Sequence, residues 1–246
     1  MTTTIRLLAL CAVLSASPLN AETLRASSGP NVTPVVELYT SEGCSSCPPA
    51  DDWLAQLAQL PASSLDVAPL AFHVDYWDYI GWKDRFADPR FTLRQRQLAR
   101  SNRQSTIYTP GFYVAGKEGK GSSRMIENIR TANNTEAQVD LELEADLNQQ
   151  QLALRLNSVN RSDRSLQVEF VVFENNLHSQ VTRGENTGRE LLHQRVVRHL
   201  SKPMPLFPGI EHRVDVKTDW KPTDLGVVAL VRSADNQFLQ SVQLAF

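Results

Sequence analysis

Between Pro34 and Leu60 the chain runs through an apolar stretch of strand length, two cysteines three positions apart, two prolines and an amphipathic stretch of helical spacing. Pro34 to Tyr39 (PVVELY) has a β-branched pair and the length of a buried strand. From Cys47 to Leu60 the apolar residues Trp53, Leu54, Leu57, Ala58 and Leu60 recur at helical spacing, and Pro61 closes the run. The prolines at 48 and 49 stand where a helix start tolerates missing N–H donors. Cys44 and Cys47 are therefore expected at a strand-to-helix turn. A disulfide closing so small a ring stabilises by only about 2 kcal/mol, less than one closing a longer loop. The pair is a poor staple and a good switch. If the helix begins near Cys47, Cys44 lies at or just before its N-terminus. Free N–H groups and the positive end of the helix dipole favour a thiolate there, and such settings bring a cysteine from about 8.5 into the range of about 3.5–7.5. Cys44 would then attack a partner disulfide or sulfur, Cys47 would resolve the mixed disulfide, and Ser45 and Ser46 would tune the potential.

The cysteine count sharpens this reading. Arg6 with the amino terminus, the apolar run Leu7 to Leu14 and the small residues to Ala21 read as a secretory leader over residues 1–21, cut after Ala21. Cys11 would leave with it, so Cys44 and Cys47 would be the cysteines of the exported chain, in a compartment where disulfides persist. Periplasmic or secreted bacterial-type localisation is expected. No later segment approaches the roughly 20 apolar residues of a membrane span.

Two rhythms follow. Residues 34–134 alternate strand and helix. Val67 to Val74 is a second strand, and Asp75 to Arg103 turns from aromatic to basic and is helical from Pro89 to Arg100. Ile107 to Ala115 is a strand entered through a Thr-Pro step, Gly116 to Gly121 a turn, and Met125 to Ala132 a short helix. From 138 to 246 about seven short stretches alternate apolar with polar: Val139–Leu147, Leu152–Val159, Leu166–Phe173, Leu191–Leu200, His212–Val216, Val227–Arg232 and Leu239–Phe246. That pattern predicts a small β-sandwich.

The order VVELYT, CSSC, helix and a later TP entering a strand (YTPGFYVAGKEGKG) resembles the thioredoxin superfamily over about residues 34–134. The stretches ELYTSEGCSSCPPAD, HVDYWDYIGWKDRF and RGENTGRELLHQRVV look more closely like a family of exported bacterial thioredoxin-like proteins of unknown function. The resemblance implies an α/β thioredoxin-like N-terminal domain, with a helical insertion around 76–104, followed by an all-β sandwich-like C-terminal domain. It also implies a thiol–disulfide oxidoreductase that needs no dissociable cofactor and exchanges with a protein or small-molecule thiol or disulfide. In it Pro110 takes the place of the cis proline opposite the cysteines, with Thr109 just before it. Glu37 lies near the buried acid that serves the inner cysteine in thioredoxins, and a salt-bridged glutamate fits the position equally. The Ser-Ser dipeptide, the absence of a Trp before Cys44 and the Pro48-Pro49 pair depart from the thioredoxin pattern.

Several features keep two readings each. The seven basic residues from Lys83 to Arg103 form a solvated helix face or supply positive potential to Cys44. HVDYWDYIGW either fills core and loop or lines the site through Asp75, Trp77 or Trp82, at a strand end where open α/β sheets place ligands. RGENTGRELLHQRVV is a functional loop or a long hairpin turn. A net charge of −2 and export disfavour nucleic acid. Zinc lacks its four ligands. Two thiolates suffice for copper(I), so a binding protein that captures a partner or copper with an inert or metal-holding cysteine pair is the rival to the oxidoreductase.

Overall fold

The computed structural model describes residues 23–148 and 150–246. The expected leader and Cys11 lie outside the described residues. The first half comprises β1 (Leu24–Ser27), β2 (Val35–Thr40), α1 (Pro48–Ala58), β3 (Ala68–His73), α2 (Pro89–Ser101), β4 (Gly111–Val114), β5 (Lys117–Gly119) and α3 (Ser122–Asn133). The second comprises β6 (Val139–Leu147), β7 (Gln151–Asn160), β8 (Leu166–Glu174), β9 (Leu177–Gln180), β10 (Glu190–His193), β11 (Val196–Leu200), β12 (Met204–Pro205), β13 (Ile210–Asp215), β14 (Leu225–Ser233) and β15 (Phe238–Ala245). Among the described residues no helix is long and apolar enough to cross a membrane.

Apart from β1, which joins a sheet of the second half, the α/β and the β elements keep to their halves of the chain, and one sheet passes through both. Its order is β15-β14-β8-β11-β3-β2-β4-β5, with β12 added on β8. β2 and β3 run parallel and β4 antiparallel to β2. The halves meet at β11 and β3, where Val196 pairs with Ala71 and the Ala71 N–H donates to the Arg195 carbonyl at 2.9 Å. Arg195 strengthens this narrow seam. Its guanidinium donates to the Pro69 carbonyl (2.8 Å) and Gln243 Oε1 (2.5 Å) and lies 3.7 Å over the Phe173 ring.

Strands β8 and β14 are buried on both faces, so their residues divide between two cores. Val168, Phe170, Val172, Val227, Ala229 and Val231 pack against β6, β7 and β13 of a second, four-stranded sheet, order β1-β6-β7-β13. This is the sandwich that the alternating pattern predicts. Val171, Phe173, Val228 and Leu230 face the other way and join Val35, Tyr39, Phe72 and, from α2, Phe91 and Leu98. On the opposite face of β2, Val36 and Leu38 meet Leu54 and Leu57 of α1 and Met125 and Ile129 of α3. Thus α1 and α3 cover one face of the first-half sheet and α2 the other.

Three local expectations are corrected. The stretch from Glu22 to Thr33, polar and rich in Gly, Pro and Ser and so expected as an extended lead-in, contains β1, which pairs with β6 from Leu24↔Ala145 to Ser27↔Glu142. The single strand expected over Leu191–Leu200 is two, because Arg195 takes a left-handed conformation (φ 61°) and turns the chain between β10 and β11. β9 and β12, too short to show a period, were not expected at all.

Candidate functional site

β2 ends at Thr40, and the segment Ser41–Cys47 carries the chain into α1, with Cys47 at the N-cap and Pro48 and Pro49 opening the helix. Cys44 and Cys47 are joined as a disulfide, their Cα atoms 5.4 Å apart. The Cys44 N–H donates to the Ser41 carbonyl at 3.1 Å and the Cys47 N–H to the Cys44 carbonyl at 3.2 Å. Ser46 Oγ lies 3.4 Å from Cys44 Sγ. Ser45 and Ser46 are exposed, whereas both cysteines are buried at 0% exposure. The two prolines also remove two of the N–H groups a helix start normally leaves free. The donors beside Cys44 are therefore fewer than a helix N-terminus suggests, a consequence of Pro48-Pro49.

The Thr109–Pro110 peptide bond is cis. Gly111, the next residue, pairs with Tyr39 at the C-terminal end of β2, which sets Thr109 and Pro110 at the same sheet end as the cysteine segment. Trp77 ties the two together, its Nε1 donating to Thr109 Oγ1 at 2.6 Å while its Cβ stands where a side chain at Gly43 would meet it, 3.3 Å away. Trp82 reaches the same neighbourhood, donating from Nε1 to Glu42 Oε2 at 2.8 Å. Asp75 does not: its carboxylate accepts from Thr92 Oγ1 (2.5 Å) and anchors the strand end to α2.

Glu37 is the salt-bridged glutamate of the two readings. Side chains alternate across a strand, and Glu37 shares the face of Val35 and Tyr39, opposite α1. Arg94 grips its carboxylate with two bonds (2.8 and 3.0 Å), Arg232 donates at 2.8 Å and Tyr39 Oη at 2.7 Å. Burial disfavours its charge, but Arg94 and Arg232 outweigh burial and hold the carboxyl at about 2. Arg94, from the basic run, is thereby committed to this cluster and to Glu169 (2.9 Å) and not to the cysteines.

Beneath the cysteine segment lies a buried polar cluster. Asp84 Oδ2 accepts from His73 Nδ1 at 2.7 Å and from the Glu42 N–H at 2.9 Å. Glu42 Oε1 pairs with His193 Nε2 at 3.2 Å, and the two imidazoles stand 5.0 Å apart, nearly perpendicular. Burial disfavours the charge on His73, Asp84 and Glu42, yet His73 is raised by Asp84, Asp84 is lowered by His73, and Glu42 is lowered by its bond to His193. Asp51, in the first turn of α1, completes the cluster. Its Oδ2 accepts from Thr40 Oγ1 at 3.2 Å, and its Oδ1 is buried without a partner among the described residues, as are His73 Nε2 and His193 Nδ1. Burial raises the Asp51 carboxyl to about 6, against the opposing pull of His193 and His73.

The loop between β9 and β10 is bonded to the cysteine segment. Asn186, itself buried, donates from Nδ2 to the carbonyls of Glu42 (2.8 Å) and Cys44 (3.0 Å), and Glu185 Oε2 accepts the Ser45 N–H at 3.0 Å. Glu42, Asp51, Asp84, Glu185, Asn186 and His193 escaped the sequence reading as site residues. The signal available was the segment RGENTGRELLHQRVV, which holds Glu185, Asn186 and His193; its partner, 140 residues upstream, was not visible. Among the described residues no group of three or more His, Cys, Asp or Glu side chains is placed to hold a metal ion.

The geometry defines a mixed α/β protein with large sheets and few helices, carrying a Cys-x-x-Cys disulfide at a helix N-terminus. A family model described as "Protein of unknown function (DUF1223)" matches residues 35–232, and the chain belongs to that family. Among solved structures, an X-ray structure of a protein from Agrobacterium tumefaciens is similar at 23% identity and a TM-score of 0.63, over 89% of this chain and 96% of that one. HBP35 of Porphyromonas gingivalis is similar at 18% identity and a TM-score of 0.67, over 88% of this chain and 76% of that one. Both likenesses speak to fold. No match was found among curated proteins.

Proposed function

We propose that this protein is an exported thiol–disulfide oxidoreductase whose first half, residues 34–134, is a thioredoxin-like domain, with the β-sandwich of residues 138–246 built onto it. The observation that carries the reading is the Cys44–Cys47 disulfide at the start of α1, at the same sheet end as the cis Thr109–Pro110 bond. Export rests on the leader-like residues 1–21.

In the reduced protein the Cys44 thiolate attacks one sulfur of a partner disulfide. The partner's S–S bond breaks, its second sulfur leaves as a thiolate, and a mixed disulfide forms. The Cys47 thiolate then attacks Cys44 Sγ, releasing the partner's remaining sulfur and closing the Cys44–Cys47 bond. The partner gains the two electrons that the cysteine pair loses, and the reverse sequence oxidises a partner dithiol. Asp51 is four residues after Cys47, and its N–H donates to the Cys47 carbonyl (3.1 Å), so it lies on the same helix face, where an unpartnered carboxylate oxygen can take the Cys47 proton. Thr109 and Pro110 present the strand end that faces the partner, a protein or small-molecule thiol.

Equilibration of the full-length protein with mixtures of reduced and oxidised glutathione tests the reading. A reversible dithiol–disulfide transition supports it, and so does a Cys47→Ser variant that accumulates mixed disulfides. A pair that never exchanges would leave an inert binding module.

A further inference from the structure

Thiol–disulfide exchange needs a sulfur that an attacking thiolate can approach. Cys44 and Cys47 offer none in this conformation, although Ser45 and Ser46 between them are exposed. The segment bonded to the backbone on both sides of Cys44 comes from the other half of the chain. Asn186 holds the carbonyl of Glu42 on one side of Cys44 and the carbonyl of Cys44 itself, and Glu185 holds the N–H of Ser45 on the other side. Arg189 Nη1 donates to Asn186 Oδ1 at 3.0 Å and orients that amide. Gly184 brings the loop in close. Its φ is +78°, and a Cβ there would lie 2.9 Å from Ile80 Cδ1, the same atom that stands 3.1 Å from where a Gly43 side chain would be. Loop, Ile80 and cysteine segment are thus packed as one layer. Among the described residues three hydrogen bonds join the loop tip to the backbone of the cysteine segment, and a set this small yields to local opening long before the sheet does.

We propose that residues 184–187 form a gate over the Cys44–Cys47 disulfide, latched by Asn186 and Glu185, which act as positioning residues that determine whether a partner reaches the sulfurs. The proposal rests on the oxidoreductase reading for its purpose, but the gate itself is measured without it. Glu185 has a second effect. It occupies the N–H of Ser45, the residue after Cys44, so opening the gate frees that backbone donor as well as uncovering the sulfur.

The test is the rate at which dithiothreitol reduces the disulfide in the full-length protein, read as free thiol. Asn186→Ala is expected to be reduced about tenfold faster than the unsubstituted protein, the scale of two lost hydrogen bonds in the opening equilibrium. R189A, which changes only an exposed side chain bonded to Asn186, and E185Q are expected to be a few-fold faster, and R189A serves where loss of the Asn186 amide prevents folding. In urea below the unfolding transition, reduction of the unsubstituted protein is expected to stay nearly flat, because local opening exposes little surface. Variants reduced at the unsubstituted rate, or reduction that climbs with urea in step with global unfolding, would overturn the gate. If the opened variants are reduced faster yet never exchange with glutathione, the gate stands and the oxidoreductase reading falls.

Discussion

Burial raises the Asp51 carboxyl to about 6 from an ordinary value of 3.8, so the fold works against its charge. A carboxyl raised on folding contributes stability that is complete below its unfolded value and is lost as pH rises through the folded one. Asp51→Asn is therefore expected to stabilise the protein by about 1–3 kcal/mol at pH 7.5, with the gain vanishing below pH 4. Denaturant unfolding across that range checks it. The same variant is expected to slow glutathione exchange at least about tenfold, since general-base roles of this kind carry factors of that size or more. Exchange at an unchanged rate would remove Asp51 from the proton path. Nothing in the sequence marked Asp51 out from Asp52 beside it. Only the packing of Thr40, His73 and His193 around one of the two separates a buried acid from a solvated one.

The cluster of Glu37, Arg94, Glu169 and Arg232 shows what happens at the scale of elements. These four residues come from β2, α2, β8 and β14, and all are deeply buried or nearly so. Removing one partner of a buried ion pair leaves an uncompensated charge, so Glu37→Gln is expected to cost about 3–5 kcal/mol in urea unfolding. The pH dependence of Cys44 alkylation in the reduced protein is expected to stay where it is, because the cluster lies on the face away from α1. A moved alkylation profile would return Glu37 to the redox site. The strand–CxxC–helix order was legible because each element carries its own period and its own punctuation. Which face of β2 a glutamate takes follows from register with β3 and β4, which no local pattern states. Likewise β10 and β11 read as one strand, because the left-handed turn at Arg195 is held by tertiary bonds to Asn175 and Pro69 and not by a glycine or proline.

Because one sheet runs through both halves, the whole molecule is expected to unfold in a single transition. Trp53, Trp77 and Trp82 report on the first half and Trp220 on the second, so tryptophan fluorescence and far-ultraviolet circular dichroism should give coincident curves. Two separated transitions would mean that the seam at β11 and β3 does not couple the halves. The two sheets of the sandwich meet at another sensitive point. His199 on β11 and His212 on β13 face each other with 3.1 Å between their Nε2 atoms. Burial and the neighbouring His212 depress His199 to about 4, and burial lowers His212. Histidines depressed on folding contribute stability that is present above about pH 6.5 and lost as pH falls toward 4. The loss is expected to be about 1–2 kcal/mol after allowing for solvent screening at these half-buried rings. The double variant His199→Gln, His212→Gln is expected to flatten that part of the stability profile.

The sequence by itself determined the longer strands and helices and their order, the change of rhythm between residues 134 and 138, and the place of Cys44 and Cys47 between a strand and a helix. These are written in short-range periodicity, in proline and glycine positions and in cysteine spacing, all of which act over a few residues. Only the tertiary structure decided that the two halves share a sheet, that Glu37 faces away from α1, that Asp51 packs with Thr40, His73 and His193, and that Asn186 and Glu185 bond to the backbone around Cys44. Each of those depends on strand pairing and packing between residues tens to more than a hundred positions apart, and the burial that raises Asp51 exists only once those distant segments have met.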